Sequence, residues 1–324
     1  MTQTTVGVLR GGPSHEYEVS LKTGAALLNA LPEERYRAHD IFIDRDGAWH
    51  QQGKQVDPLR ILSRLDVVLN GLHGAYGEDG VVQRLLEVSG VPYSGSRPRG
   101  ANTSINKTRT RKALEDTGII MPRAVAFTSE NPFSSDEMAR TVFEQFGPPY
   151  VVKPASLGSS IGVTIAGSII ELSRALALAL EAYQAVLVEE YIRGREANVG
   201  VIEQFRGQEH YALPAVEVHL SDLPFYTYRD KTEGECSGSC PGSFSADEKK
   251  LMENMARTVH QKLGLSHYSG SDFIVTARGK IYFLEVDALP GLMEQSLVPK
   301  ALNTIGSSLP EFAEHLVRLA QKKV

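Results

Sequence analysis

Cysteine is nearly absent from this 324-residue chain. The only two, Cys236 and Cys240, lie in the polar stretch Gly234–Gly242. With no histidine or further cysteine at ligand spacing beside them, that stretch does not read as a zinc site; two free thiols are expected, with a loop-closing disulfide as the alternative. Long apolar runs are missing too. None approaches the length of a bilayer span, and the N-terminus lacks the apolar core of a signal peptide, so a cytoplasmic protein without membrane contacts is expected. Excess positive charge is also lacking: 34 basic residues against 39 acidic ones give −5, which argues against a nucleic-acid surface. Internal repeats and low-complexity segments are absent as well. What is present is an ordinary globular composition, 42% hydrophobic and 23% charged, on a chain long enough for two or three domains.

Strand-like and helix-like segments alternate along most of the chain, the pattern of α/β architecture. Val6–Leu9 reads as a strand leading to Gly11-Gly12 and a helix from Glu18 to Ala30. Asp66–Asn70 is a second strand, followed by the loop Gly71–Gly77 and a helix from Glu78 to Ser89 with acidic residues in its first turn. This N-terminal part, residues 1–96, reads as a doubly wound parallel-sheet domain whose ligands gather at the carboxyl ends of its strands, where Glu16 and His73 fall. Residues 97–190 form a second unit and residues 191–324 a third. In the third, strands are expected at Ala197–Ile202 and Tyr211–Val218, before a long loop.

The densest chemistry is in Lys280-Ile-Tyr-Phe-Leu-Glu285-Val-Asp287. On a strand, residues two apart share a face, so Glu285 and Asp287 emerge together. If Arg278-Gly279 is a two-residue hairpin turn, Asp272 on the preceding strand sits opposite Glu285 and Gly270 opposite Asp287. Three converging carboxylates suit a hard divalent ion such as Mg²⁺, usually held together with substrate phosphates. The plainer alternative is an exposed acidic edge strand, against which the apolar neighbours Ile281, Phe283 and Leu284 argue.

Lys153 is followed by a loop containing Gly158, Ser159, Ser160 and Gly162. Its backbone N–H groups can surround phosphate oxygens while the lysine supplies a point charge. The lysine precedes the glycines, so this is not a Walker loop; alone, it reads as an ordinary turn. Lys107 opens a helix, where the dipole disfavours a cation; it is either a solvated surface lysine or the partner of an anion. Val188-Glu189-Glu190-Tyr191-Ile192 alternates as a strand does, so one glutamate faces inward, and Glu196 follows shortly after. Each of these glutamates alone would be judged a surface residue.

Taken together, Gly11-Gly-Pro-Ser-His-Glu16, Leu72-His73-Gly-Ala-Tyr-Gly-Glu-Asp-Gly80, Lys153–Val163, Glu285-Val-Asp287-Ala-Leu-Pro-Gly291 and Gln295-Ser296-Leu297 resemble the D-alanine–D-alanine ligases of the ATP-grasp superfamily. The resemblance runs from Val6 to the C-terminus in order. It implies a three-domain ATP-grasp architecture and a cytoplasmic enzyme, a homodimer by analogy, acting on ATP and D-alanine to supply a peptidoglycan precursor. In the implied reaction one D-alanine carboxylate takes the γ-phosphoryl group of ATP, and the amine of a second D-alanine displaces phosphate. Position by position, Lys107, Lys153 and Lys231 would contact the ATP phosphates beneath Ser160. Glu189 and Ile192 would line the adenine pocket, and Glu196 would hold the ribose. Asp272, Glu285 and Asp287 would bind two Mg²⁺ ions, with Mn²⁺ as an alternative. Glu16, supported by Ser159, would hold the first ammonium, with His73 at its carboxylate. Ser296 and Leu297 would receive the second carboxylate, and the Gly291 N–H would face the tetrahedral oxyanion.

Three positions depart from the family pattern: Gly270 where an arginine is usual, Thr232 where tyrosine is usual after the lysine, and Asp287 where asparagine is usual. The first two touch the acceptor side. They keep two other readings open: a different acceptor (D-lactate, D-serine or another amine), or a nucleotide-binding member with little ligation.

Overall fold

The computed structural model describes residues 3–158, 161–219 and 237–322. Strand β1 (Thr4–Gly11) lies parallel to both β2 (Tyr36–Ile43) and β5 (Val67–Asn70), with helix α1 (Tyr17–Ala30) packed on it. Both faces of β1 are covered, so Val6, Val8 and Leu9 are all fully buried, and a strand so placed is apolar almost without alternation. Antiparallel strands β3 (Trp49–Gln51) and β4 (Lys54–Gln55), not expected from the sequence, extend the sheet beyond β2 to the order β4-β3-β2-β1-β5. Helix α2 (Pro58–Leu62) precedes β5, and α3 (Val81–Ser89) follows it.

Helix α3 starts three residues later than its acidic lead-in suggests, with Gly80 as N-cap and no acid in its first turn. Glu78 and Asp79 are used before the helix. Glu78 accepts from the Gly74 N–H at 2.6 Å, and Asp79 accepts from the N–H groups of Tyr76 and Val81. Short acids that bond nearby backbone favour turns over helix interiors.

Helices α4 (Pro98–Ser104) and α5 (Lys107–Ala113) lead into a four-stranded sheet ordered β6-β9-β7-β8, made of β6 (Ala124–Thr128), β7 (Tyr150–Pro154), β8 (Thr164–Ala166) and β9 (Ala185–Glu190). Helices α6 (Ser135–Gln145) and α7 (Ile169–Ala182) pair with each other and close its apolar face over Val142, Tyr150, Leu172 and Val188.

The last sheet centres on β10 (Arg195–Phe205), flanked by β11 (Gln208–Ala212), β12 (Val216–His219), β13 (Ser237–Ser239), β14 (Tyr268–Val275) and β15 (Ile281–Asp287). The single strand expected over Tyr211–Val218 is two, β11 and β12, both antiparallel to β10; Leu213 to Ala215, with Pro214 at its centre, separates them. Helix α8 (Ala246–Lys262) packs on this sheet, and α9 (Leu297–Thr304) and α10 (Leu309–Gln321) end the chain. Phe312, Leu316 and Val317 of α10 share one core with Val6, Val8 and Leu69 of the first sheet and Tyr268 of the last. That common core fixes the first-sheet loops against the β14–β15 hairpin.

The hairpin has the register expected at its acidic end by a different route. Asp272 pairs with Glu285 and Gly270 with Asp287. The turn, however, holds three residues, Ala277 to Gly279, because Thr276 N–H bonds to Lys280 O and Gly279 lies at φ +74°. This shifts the register by one, so Phe273 meets Phe283. A bulge at Leu284 shifts it back. Phe283 therefore enters the core at 1% exposure while Glu285 turns to the opposite face. A bulge places two residues against one and re-aims the side chains beyond it.

Candidate active site

A cleft of about 1140 Å³, counted out to the solvent at its mouth, separates the four-stranded and six-stranded sheets. Lys107, Lys153, Glu189, Ile192, Glu196, Asp272 and Glu285 all line it. Its walls are apolar, with Val151, Ile161 and Ile165 on one side and Phe273, Ile274 and Leu284 on the other. A slot of this kind suits a flat aromatic group, with polar contacts confined to its ends.

Its charges are matched from within. Lys153 Nζ lies 2.7 Å from Glu189 Oε2, and Arg111 reaches the other oxygen of Glu189 at 3.2 Å. Lys107 Nζ lies 3.2 Å from Glu285 Oε2 and donates to Leu157 O at 2.6 Å. Lys107, Lys153 and Glu189 are each less than 9% exposed, so their charges are tolerable only because each has a partner. Lys107 is held at its helix start by Asn106, whose side chain caps α5, and by its own N–H to Ala155 O.

A smaller hollow adjoins the cleft, lined by Glu78, Ser104, Lys107, Gly158, Glu285 and Asp287. Lys107 and Glu285 line both spaces and so stand at their common wall. Next to Gly158 of this hollow, Glu16 is 6% exposed. Its carboxylate is so close to Gly74 and Gly158 that a Cβ on either would stand 2.8 or 3.1 Å from Oε2. His73, also 6% exposed, shares a 2.8 Å hydrogen bond between Nε2 and Thr23 Oγ1, and its N–H donates to Ser20 Oγ. Ser14 Oγ donates to the His73 carbonyl and accepts from the Glu16 N–H, which links the two loops.

Glu78 is buried, and its carboxyl group is held well above the usual carboxylate range, first by desolvation and then by Glu16 and Asp287. Glu16 and Asp287, from distant parts of the chain, thus press their charge on Glu78 beside the smaller hollow. Near the hairpin, Ser296 is the N-cap of α9, and its hydroxyl lies 3.1 Å from where a Cβ of Gly291 would stand. Leu297 opens that helix, whose first N–H groups suit an anion. Ser159, Ser160 and Lys231, with Thr232 and Cys236, lie outside the described residues. Cys240 is a free thiol.

Three residues at this site were not singled out from the sequence. Arg111 stands four positions after Lys107, hence on the same helix face, and that spacing was the available signal. Asn198 stands two positions after Glu196 on β10. It pairs with Asp272, and its amide donates to Asp272 Oδ1 at 2.7 Å. Glu78 sat inside the His73–Gly80 segment, where it read as the start of a helix.

Comparison with known proteins agrees with this layout. Family profiles described as D-ala D-ala ligase C-terminus and D-ala D-ala ligase N-terminus match residues 113–318 and residues 5–63 and 51–96. The D-alanine–D-alanine ligase of Geobacter sulfurreducens is 36% identical over 324 aligned residues, covering 99% of this chain and 95% of the relative. That of Aquifex aeolicus is also 36% identical, over 93% of this chain and 95% of its own. Among solved structures, VanG D-Ala:D-Ser ligase from Enterococcus faecalis superimposes with a TM-score of 0.84 at 27% identity, covering 98% of this chain and 100% of its own. The D-alanine–D-alanine ligase from Bacillus anthracis, complexed with ATP, gives 0.81 at 27% identity over 98% and 97%. The chain therefore belongs to the D-alanine–D-alanine ligase family, with the ATP-grasp fold of those ligases, and is a ligase enzyme.

Proposed function

We propose that this chain uses ATP to join two D-alanines through an acyl phosphate, giving D-alanyl-D-alanine for a peptidoglycan precursor. The observation that carries the reading is the shared wall of the two hollows. The larger is an apolar slot with a buried lysine at its depth; the smaller is ringed by acids; Lys107 and Glu285 stand between them. A nucleotide in the first would place its terminal phosphate beside an amino acid in the second.

In this reading Lys107 and Lys153, with Lys231 and the Ser160 loop, hold the phosphates. Glu189 and Ile192 take the adenine, and Glu196 the ribose. Glu16, with Ser159, takes the first ammonium, His73 orients the carboxylate, and Ser296 and Leu297 take the second carboxylate at the start of α9. The Gly291 N–H faces the oxyanion. Asp272, Glu285 and Asp287 offer only oxygen donors, and Asn198 fixes one of them. That set fits two Mg²⁺ ions, or Mn²⁺, which when bound neutralise phosphate charge. The protein's own share is positioning and fixed electrostatics, which dominate phosphoryl transfer. Residues 1–96, 97–190 and 191–324 act as the first-substrate, phosphate-loop and metal-hairpin domains of a cytoplasmic homodimer. No described helix is long and apolar enough to cross a membrane.

Purified protein with MgATP should release phosphate only when D-alanine is added, and a product of the dipeptide's mass should accumulate with it. ATP turnover that ignores D-alanine, or none at millimolar substrate, rejects the reading. A second reading, a different acceptor, is favoured by Gly270. Its position faces Asp287 across the hairpin and, beside Asn198 and Pro290, carries no arginine. Product masses from a mixture of D-alanine, D-serine and D-lactate separate the two.

A further inference from the structure

Away from both hollows, the far end of β10 meets β11 and α8 in a group of nitrogen and carboxylate ligands. Glu203, His210 and His260 each bring one donor atom into a set lying within 4.8 Å of one another. We propose that these three residues form a binding site for a zinc-class transition-metal ion, separate from the catalytic centre.

The geometry suits such an ion. Two ligands each ~2.1 Å from a tetrahedral ion stand about 3.4 Å apart; His260 Nε2 and Glu203 Oε1 are 3.5 Å apart. Each of the three residues also makes a further hydrogen bond. His260 Nδ1 bonds to Ser269 Oγ at 2.8 Å, and Glu203 Oε2 accepts from the His267 N–H at 2.7 Å. His210 Nδ1 meets the Gln261 amide at 3.1 Å, and its ring stands edge-on to His260, 5.5 Å between centroids. Outer-shell bonds of this kind fix ring orientation and tautomer at metal sites. Arg257 is the adverse charge nearby. It donates to the His210 carbonyl, and its guanidinium is turned toward Asn254 and Glu253.

Two imidazoles and one carboxylate select a borderline ion over Mg²⁺, and a fourth position remains for water. His260 is fully buried, whereas His210 and Glu203 reach the surface in part, which gives an entry path. Glu203 and His210 are cross-strand partners on β10 and β11, and His260 lies on α8. One ion would therefore tie three elements together at the end of the strand whose start carries Glu196 and Asn198. Its role is structural, and none of the three ligands touches either hollow.

Co²⁺ added to metal-stripped full-length protein tests this, with Mg²⁺ present in excess to occupy the oxygen-only carboxylates. One equivalent should bind with the intense visible absorption of a tetrahedral ion, be displaced by Zn²⁺, and raise the melting temperature by several degrees. Glu203→Gln and His210→Gln should each abolish the band and weaken Zn²⁺ binding by more than roughly tenfold. Both should keep wild-type D-alanine-dependent turnover without added transition metal. A wild-type spectrum that is only weak and octahedral overturns the proposal whatever the variants do. So does a tetrahedral band that both variants retain. The readout is spectroscopic, so it stands or falls independently of which amino acids the enzyme joins.

Discussion

The two hollows solve opposite electrostatic problems. In the larger cleft, buried charges come in opposite pairs, Lys153 with Glu189 and Lys107 with Glu285, and Arg111 adds a second cation to Glu189. Beside the smaller hollow, like charges gather: Glu16 and Asp287 both push the Glu78 carboxyl group upward, on top of its desolvation. The first region is set before ligand arrives, with each carboxylate holding a lysine where phosphate would later compete. In the second, burial and two neighbouring acids disfavour a charged Glu78, and a cationic ligand, an ammonium group or a metal ion, would ease that. Deleting a charge should therefore have opposite effects on folding in the two places.

Glu16→Gln gives the largest expected effect on activity. Losing one preorganised group of this kind costs on the order of 10²–10³ in rate, and initial rates against D-alanine concentration should show it. Yet the melting temperature of the ligand-free protein should hold or rise, because one of three crowded acids is gone. A clear fall in melting temperature would break the contrast between the regions. Lys153→Met is the converse. It leaves Glu189 at 3% exposure with Arg111 as its remaining cation among the described residues, and stability should fall by about 3 kcal/mol in a denaturant titration, along with ATP affinity. If Lys153→Met were as stable as wild type, the pairing in the cleft would have no structural weight.

Glu78→Gln gives a smaller effect, distinguished by its pH dependence. The folded pKa of Glu78 is raised, so its contribution to stability is fully present below the ordinary value of 4.5 and is lost as pH climbs toward the raised one. The glutamine variant lacks this loss. Melting temperatures of the ligand-free proteins should then agree at low pH and separate upward, with the variant the more stable. Saturating MgATP with a D-alanine analogue should shrink the gap in the wild type's favour. Parallel curves would mean that Glu78 is not under pressure from its neighbours.

Much of this arrangement was legible in the sequence, for identifiable reasons. Carboxylates inside an apolar strand, glycines after a strand-end lysine, and a histidine at a strand end are local patterns whose chemistry survives without coordinates. Glu285 and Asp287, two apart on one strand and lining one hollow, were found this way. Arg111, Asn198 and Glu78 were missed because their importance lies in what they face across the fold: Glu189 on β9, Asp272 on the neighbouring strand, and the charge of Asp287 on a distant hairpin. The strands β2–β4 escaped for another reason. Their exposed, mixed-polarity residues, such as Arg37, Lys54 and Gln55, give no clean alternation. The start of α3 was misplaced because acids before a helix serve equally well as turn formers.

The hairpin shows the limit most sharply, since a correct pairing came from an incorrect turn. A two-residue turn would reach Asp272–Glu285 directly; the chain instead uses three residues and then absorbs the offset at Leu284. The clue was in the spacing of the buried residues, Ile281, Phe283 and then Val286, where alternation slips by one. If the bulge and the pairing of Asp272 with Asn198 on β10 set the acidic end, the turn is free to be strained without consequence for catalysis. Gly279→Ala tests that. At φ +74° a Cβ has space, its nearest neighbour being Glu248 Oε1 at 3.7 Å, so only the backbone cost of about 1 kcal/mol remains. Denaturation should show that loss while the kinetic constants for ATP and D-alanine stay unchanged. A drop in turnover with the modest loss of stability would instead place control of the register in the turn, and the bulge would be its consequence.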